Sequence, residues 1–250
     1  MRIDALLLCC LLATATALAQ DALPLFHRMQ GALGGADRFA AIRDYEQVVV
    51  AESFDGNTGR SLGEVRKRTR WITPSHLRVD QLGQGATYVL YFDGREGWEI
   101  LPGTQRAVAL AGGELLFAQN YARSFRHLTW LADRDSRYTI TSPSRNVLRI
   151  ADGDVTHQLD ITVDPVTSLP VKTASISLSD PSRPIPSEDV IKEWETVEGL
   201  RFYRRWAVLR SGVRVAEATV ERTAINAGLR VANLAAQPAD GKPILASSNR

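Results

Sequence analysis

The chain predicts a mainly β fold with helices, an α+β class. In it a single large curved antiparallel sheet forms an unclosed half-barrel covered by N-terminal and central helices. Three observations carry this expectation. Extended segments follow one another from residue 44 to 225, separated by short turns such as Asp55-Gly56-Asn57, Asp93-Gly94, Asp152-Gly153, Glu198-Gly199 and Ser211-Gly212. Strands joined by short turns make an antiparallel meander. Helical periodicity is confined to the start of the chain and to one central stretch, and neither an internal repeat nor a linker divides the rest.

Residues 1–19 read as a cleavable export signal: Arg2 is followed by an apolar run over 5–13 and by the small residues Ala17-Leu18-Ala19 before Gln20. The run is too short to span a membrane. Both cysteines, Cys9 and Cys10, fall inside this segment, so the expected mature chain is periplasmic and free of disulfides. The half-barrel domain is expected over 20–236, with an unstructured tail over 237–250, where residues are small and polar.

The first helix is marked by Leu23, Phe26, Met29 and Leu33 and ended by Gly34-Gly35; a second short one carries Phe39 and Ile42. The central helix is expected over 114–132, where Phe117, Tyr121, Phe125, Leu128 and Leu131 recur at three- and four-residue steps. The stretch 88–98 is the most telling of the strands. Tyr88, Leu90 and Phe92 alternate with Val89 and Tyr91, so both faces are apolar, as in a strand buried on both sides. Trp98 follows the turn at Asp93-Gly94. Residues 66–70 place Arg66, Arg68 and Arg70 on one strand face and Lys67, Thr69 and Trp71 on the other.

Chemistry leaves little trace. The formal net charge is +2, which gives no case for nucleic acid as a partner. Gly59-Arg60-Ser61-Leu62-Gly63 spells a nucleophile pattern, but a turn precedes it and a charged extended run follows, whereas an active serine needs a strand before and a helix after. His27, His76, His127 and His157 do not stand at metal-ligand spacing, and no phosphate-binding loop is present. The expectation is a non-enzymatic monomer without cofactor or metal.

Several ordered pieces resemble the lipoprotein-localisation-factor superfamily, the LolA/LolB-like proteins and their outer-membrane lipoprotein-sorting relatives. They are Gly31-Ala32-Leu33-Gly34-Gly35 with Phe39 and Ile42, then Pro74 with Leu77-Arg78-Val79, then Phe92-Asp93-Gly94 with Gly97-Trp98. Trp194, Val197-Glu198-Gly199-Leu200 with Phe202, and Ile225-Asn226 complete the order. The chain departs from that pattern at its close, where Leu229, Val231 and Leu234 stand in place of an aromatic. The resemblance implies an unclosed barrel whose cavity admits acyl chains, and hence a periplasmic protein that holds a lipid or lipoprotein acyl group. Its cavity is expected to be lined by Trp71, Tyr88, Leu90, Phe92 and Trp98, with Phe117, Tyr121 and Phe125 on a lid helix. Arg66, Arg68 and Arg70 are candidate contacts for a lipid headgroup. An alternative reading is a cell-envelope sensor or interaction module that uses those arginines to bind a protein partner.

Overall fold

The computed structural model describes residues 22–83, 87–124, 130–152, 158–177, 185–238 and 241–245. The expected export signal, Phe125 and residues 246–250 lie outside them. Thirteen strands form one antiparallel sheet. The N-terminal half holds β1 (Asp44–Phe54), β2 (Ser61–Ile72), β3 (His76–Gly83), β4 (Tyr88–Phe92), β5 (Gly97–Ile100) and β6 (Val108–Ala109). The C-terminal half holds β7 (Tyr138–Ser144), β8 (Val147–Asp152), β9 (Gln158–Val163), β10 (Pro170–Ser177), β11 (Ile185–Val197), β12 (Leu200–Arg210) and β13 (Val213–Ile225). Each half is a meander, and the pairing of β1 with β13 joins them, giving the order β6-β5-β4-β3-β2-β1-β13-β12-β11-β10-β9-β8-β7. The two edge strands do not pair, so the half-barrel is open, as the sequence predicts.

Turn chemistry and bulges shape this sheet. Glu198 and Gly199, and likewise Ser211 and Gly212, both take positive φ. That is the backbone of the two-residue turn whose twist matches antiparallel strands. Register shifts interrupt β11 against β12 near Ile191, Glu193 and Trp194, and β1 against β13 at Val48/Val49. An extra residue on one strand bends it and tightens its twist, and these bulges lie on the central strands where the sheet curls.

Helix α1 (Ala22–Leu33) buries Ala22, Leu25, Phe26, Met29, Gln30 and Leu33, a stripe at helical spacing, against β7, β8 and β12. Gln30, the one polar member, donates through Nε2 to the Trp130 carbonyl at 2.7 Å and to Asp133 Oδ1 at 2.8 Å. The helix ends at Gly34, whose φ is +118°. A Cβ there would lie 2.4 Å from the Gly199 carbonyl oxygen. Gly34→Ala is therefore expected to cost about 1–3 kcal/mol through strain and collision, read as a lower urea midpoint. Helix α2 (Ala36–Ala40) buries Phe39, and a 3-10 turn at Ala132–Arg134 closes this cover.

Helix α3 (Gly112–Ser124) covers the N-terminal half and corrects the sequence reading in two ways. It does not run through to 132: Trp130 is in a turn, and Leu131 is buried in the core beneath α1 and α2. Its buried face is also rotated. Ala118 and Ala122, with Leu115 and Tyr121, pack on Leu77, Val79, Leu90 and Phe92, while Phe117 is 48% exposed and stacks on Tyr121 at 5.7 Å. Small side chains at 118 and 122 let the helix sit close to the sheet.

The C-terminal end gives a third correction. Residues 241–245, expected as tail, lie against the convex face. Ile244 N–H donates to Asp80 Oδ1 at 2.9 Å, and its carbonyl accepts from Arg68 at 3.3 Å. Helix α4 (Val231–Ala235) precedes this strap and packs on β3 and β4. The sequence looks disordered because it is polar, yet the contacts that hold it are made by its backbone.

Candidate functional site

Register assigns every side chain of the curved sheet to one of two faces. On the concave face Tyr45, Gln47 and Val49 of β1 stand opposite Trp71, Thr69 and Lys67 of β2; next come Leu77, Val79 and Gln81 of β3 and Phe92, Leu90 and Tyr88 of β4. The same alternation puts Arg66, Arg68, Arg70, Arg78, Asp80, Tyr91 and Trp98 on the convex face.

Between the cover made by α1 and α2 and the one made by α3, the concave face is open. A cavity of about 270 Å³ lies there, lined by Tyr45, Gln47, Val49, Lys67, Thr69, Tyr121, Trp130, Asp189, Phe202, Tyr203 and Trp206. Its walls are aromatic: Trp130 meets Phe202 edge-on at 5.7 Å, and Tyr203 lies 6.3 Å from Trp206. A stacked contact of 4.2 Å between Phe39 and Trp130 props the wall from behind. Burial pushes the Tyr45 and Tyr203 phenols up, with Asp189 adding to Tyr203. A wider depression of about 470 Å³ at Leu101, Thr104, Gln105, Arg106 and Val108 is built from one loop and the edge strand β6 alone.

Of the residues the sequence proposes for the cavity, Trp71 is buried in the core beneath α1 and α2, and Leu90 and Phe92 lie under α3 with Tyr88 at their margin. Trp98 is on the opposite face: β5 pairs it with Tyr91, 5.9 Å away, and the Arg78 guanidinium lies 5.5 Å from its ring. Of the two proposed lid residues that the structure describes, Tyr121 lines the cavity and Phe117 does not. Sequence reasoning missed most of the wall. The alternation of Tyr45, Gln47 and Val49 with Lys67 and Thr69 carried part of the signal; what was absent was any sign that β11 and β12 curl round to face β2.

The basic run is corrected as well. Arg66 pairs with Glu221 at the surface, but Arg68 and Arg70 are buried. Arg68 Nη2 donates to Glu46 at 2.6 Å, and Arg70 donates to Asp80. Fully buried Arg78 grips Asp80 from Nε at 2.9 Å and Nη2 at 3.0 Å, and donates to the Leu234 and Ala236 carbonyls. Burial pushes the Asp80 carboxyl up, but hydrogen bonds from Arg78 and the charges of Arg78 and Arg70 override it and hold it below its ordinary value. Burial also pulls the Arg70 guanidinium down to about 10. These arginines anchor the strap rather than offer a surface to a headgroup or a protein partner, which removes the cue for the interaction-module reading. Ser61 stands exposed at the start of β2, where its Oγ accepts from Gly63 N–H at 3.2 Å, and no helix follows it.

No family model matches the chain, and none of the curated proteins matches it in sequence. Solved structures define the class: this is a LolA-like fold. A DUF1329 family protein from Desulfovibrio piger is similar with a TM-score of 0.59 and 13% identity, over 87% of this chain and 97% of that one. A LolA superfamily protein from Nitrosomonas europaea gives 0.53 and 14%, over 82% and 96%. An outer membrane lipoprotein-sorting protein domain from Vibrio parahaemolyticus gives 0.51 and 11%, over 85% and 95%.

Proposed function

We propose that this protein is a periplasmic, non-enzymatic carrier that holds an acyl chain of a lipid or lipoprotein in the concave-face cavity. The observation that carries the reading is an aromatic-walled space left open between two helical covers, on a fold shared with a LolA superfamily protein and a lipoprotein-sorting domain. The volume suits part of a single chain. With liquid water taking about 30 Å³ per molecule, it holds on the order of nine water-sized groups. Burying each methylene contributes about 0.8 kcal/mol, so a half-dozen carbons supply roughly 5 kcal/mol before ordering costs. An acyl chain crossing an aqueous compartment needs such shielding. The export segment over 1–19 is consistent with that compartment.

Thr69 is buried on the cavity floor between Lys67 and Trp71. Thr69→Phe fills the space from the sheet side. Titration with a pyrene-labelled acyl chain is expected to saturate on the wild type and to weaken at least about tenfold on the variant. Equal binding by both proteins sinks the assignment of the cavity.

A further inference from the structure

Lys67 on β2 and Asp189 on β11 are four strand positions apart in the sheet. Along a flat sheet that is about 19 Å. Curling brings both to the same cavity, where the Lys67 charge is felt by Asp189. They are the one cation and the one acid among its lining residues. Neither is satisfied by the other, since no direct ion pair joins them among the described residues. Lys67 Nζ donates to Tyr121 Oη at 3.3 Å and sits 5.6 Å from the centre of that ring. An ammonium has three donors, and the described residues engage one. The Asp189 carboxylate has no hydrogen-bond partner among the described residues. Both side chains are half-buried at the cavity, so their open hydrogen-bonding capacity faces whatever fills it.

The surroundings decide its charge. Asp189 faces Lys67 from β2, Tyr45 from β1, Tyr121 from α3 and Tyr203 from β12; Ser187 and Ile191 share its face of β11, and Thr173 and Val208 flank it on β10 and β12. Glu195, which acts on Tyr45, is already engaged by Thr223 and Arg204. Burial pushes the Asp189 carboxyl up to about 6, with Lys67 drawing it back down. As it takes up a proton, the Lys67–Asp189 pair goes from neutral to net positive, and the acid becomes a hydrogen-bond donor. A cationic ligand would need Asp189 ionised while meeting the Lys67 charge.

We propose that the cavity's ligand is an amphiphile with a single anionic end group, received by the Lys67 ammonium while its apolar body lies against Trp130, Phe202 and Trp206, and that the ionised Asp189 carboxylate opposes it by like charge. This rests on the carrier reading and names the polar end of the same site. Acidification strengthens the binding of the anion because it removes that opposing charge.

The test is calorimetric titration of the mature protein with decanesulfonate, decanol and decyltrimethylammonium, which share one chain and differ in end-group charge. At about pH 5 the sulfonate is expected to bind at least about tenfold more tightly than decanol, and the margin is expected to shrink toward about pH 7.5. Because the sulfonate keeps its charge, the change belongs to the protein. Lys67→Met is expected to erase the margin and keep decanol binding; Asp189→Asn is expected to keep the margin at the higher pH. If Lys67→Met does not fold, the wild-type series carries the test. Equal binding of decanol and decanesulfonate at the lower pH overturns the inference and leaves the carrier reading standing. Tighter binding of the cation also overturns it. If no decyl compound binds, the carrier reading falls and the inference with it. When the anion is preferred, decanoate against decyl phosphate separates a fatty-acid carboxylate from a phosphate headgroup.

Discussion

Asp80→Asn is expected to destabilise the protein by about 3–5 kcal/mol, the cost of leaving buried guanidinium groups without their counter-charge. Asp80 and Arg78 are both 0% exposed, and Asp80 also accepts from Arg70 and from the Ile244 backbone N–H. The substitution keeps the shape and removes the charge, so the loss is electrostatic rather than a cavity. For a chain of this size it corresponds to a fall in Tm on the order of 10 °C. The strap should loosen with it, so limited proteolysis is expected to cut near 241–245 sooner. The pH dependence has a definite sign. A carboxyl held below its ordinary value in the fold contributes stability that is present above its unfolded pKa and is lost as pH falls through the folded one. Acid unfolding of the wild type should carry that component, and the variant should lack it. A variant within about 1 kcal/mol of wild type at neutral pH, well below the 3–5 kcal/mol or so that unpaired burial demands, would mean that Asp80 is not the keystone of this cluster.

Phe39→Ala is the second large effect, at about 3–5 kcal/mol for an emptied aromatic site. Phe39 is 2% exposed, stacks on Trp130 and meets Phe202 edge-on at 6.1 Å. Both partners line the cavity. Truncation should therefore weaken acyl binding as well as stability, whereas Phe39→Leu, which retains most of the volume, should cost less in both. Urea unfolding reads the first effect and acyl-probe titration the second. Loss of stability with unchanged binding would detach the α2 cover from the site.

The contrast between fold and site shows what a single sequence carries. Strand alternation from Tyr88 to Phe92, the Asp-Gly and Glu-Gly turns and the glycines after Leu33 are local signals, and local sterics decide them. The division of 66–70 into two faces is equally local and holds in the structure. The cavity is not local. It exists because β1 pairs with β13 across the chain and bulges curl β11 and β12 toward β2. No short window contains that information, so Asp189, Phe202, Tyr203 and Trp206 went unnoticed as neighbours of Lys67. Bulk misled in two places. Periodicity of large side chains points to Phe117 as buried, whereas Ala118 and Ala122 fit the close approach of α3. Trp98 suits a cavity wall by size, but its pairing with Tyr91 puts it on the other face. The strap is not legible in the sequence because the arginines that hold it, Arg68 and Arg78, are brought to its carbonyls and buried only by the fold.

Native mass spectrometry of the mature protein released gently from a cell envelope, followed by lipid identification after denaturation, tests the central claim most directly. The account predicts a one-to-one complex with an acyl-bearing molecule, lost from Thr69→Phe. A bare protein mass that takes up neither fatty acid nor acylated peptide on addition would contradict it.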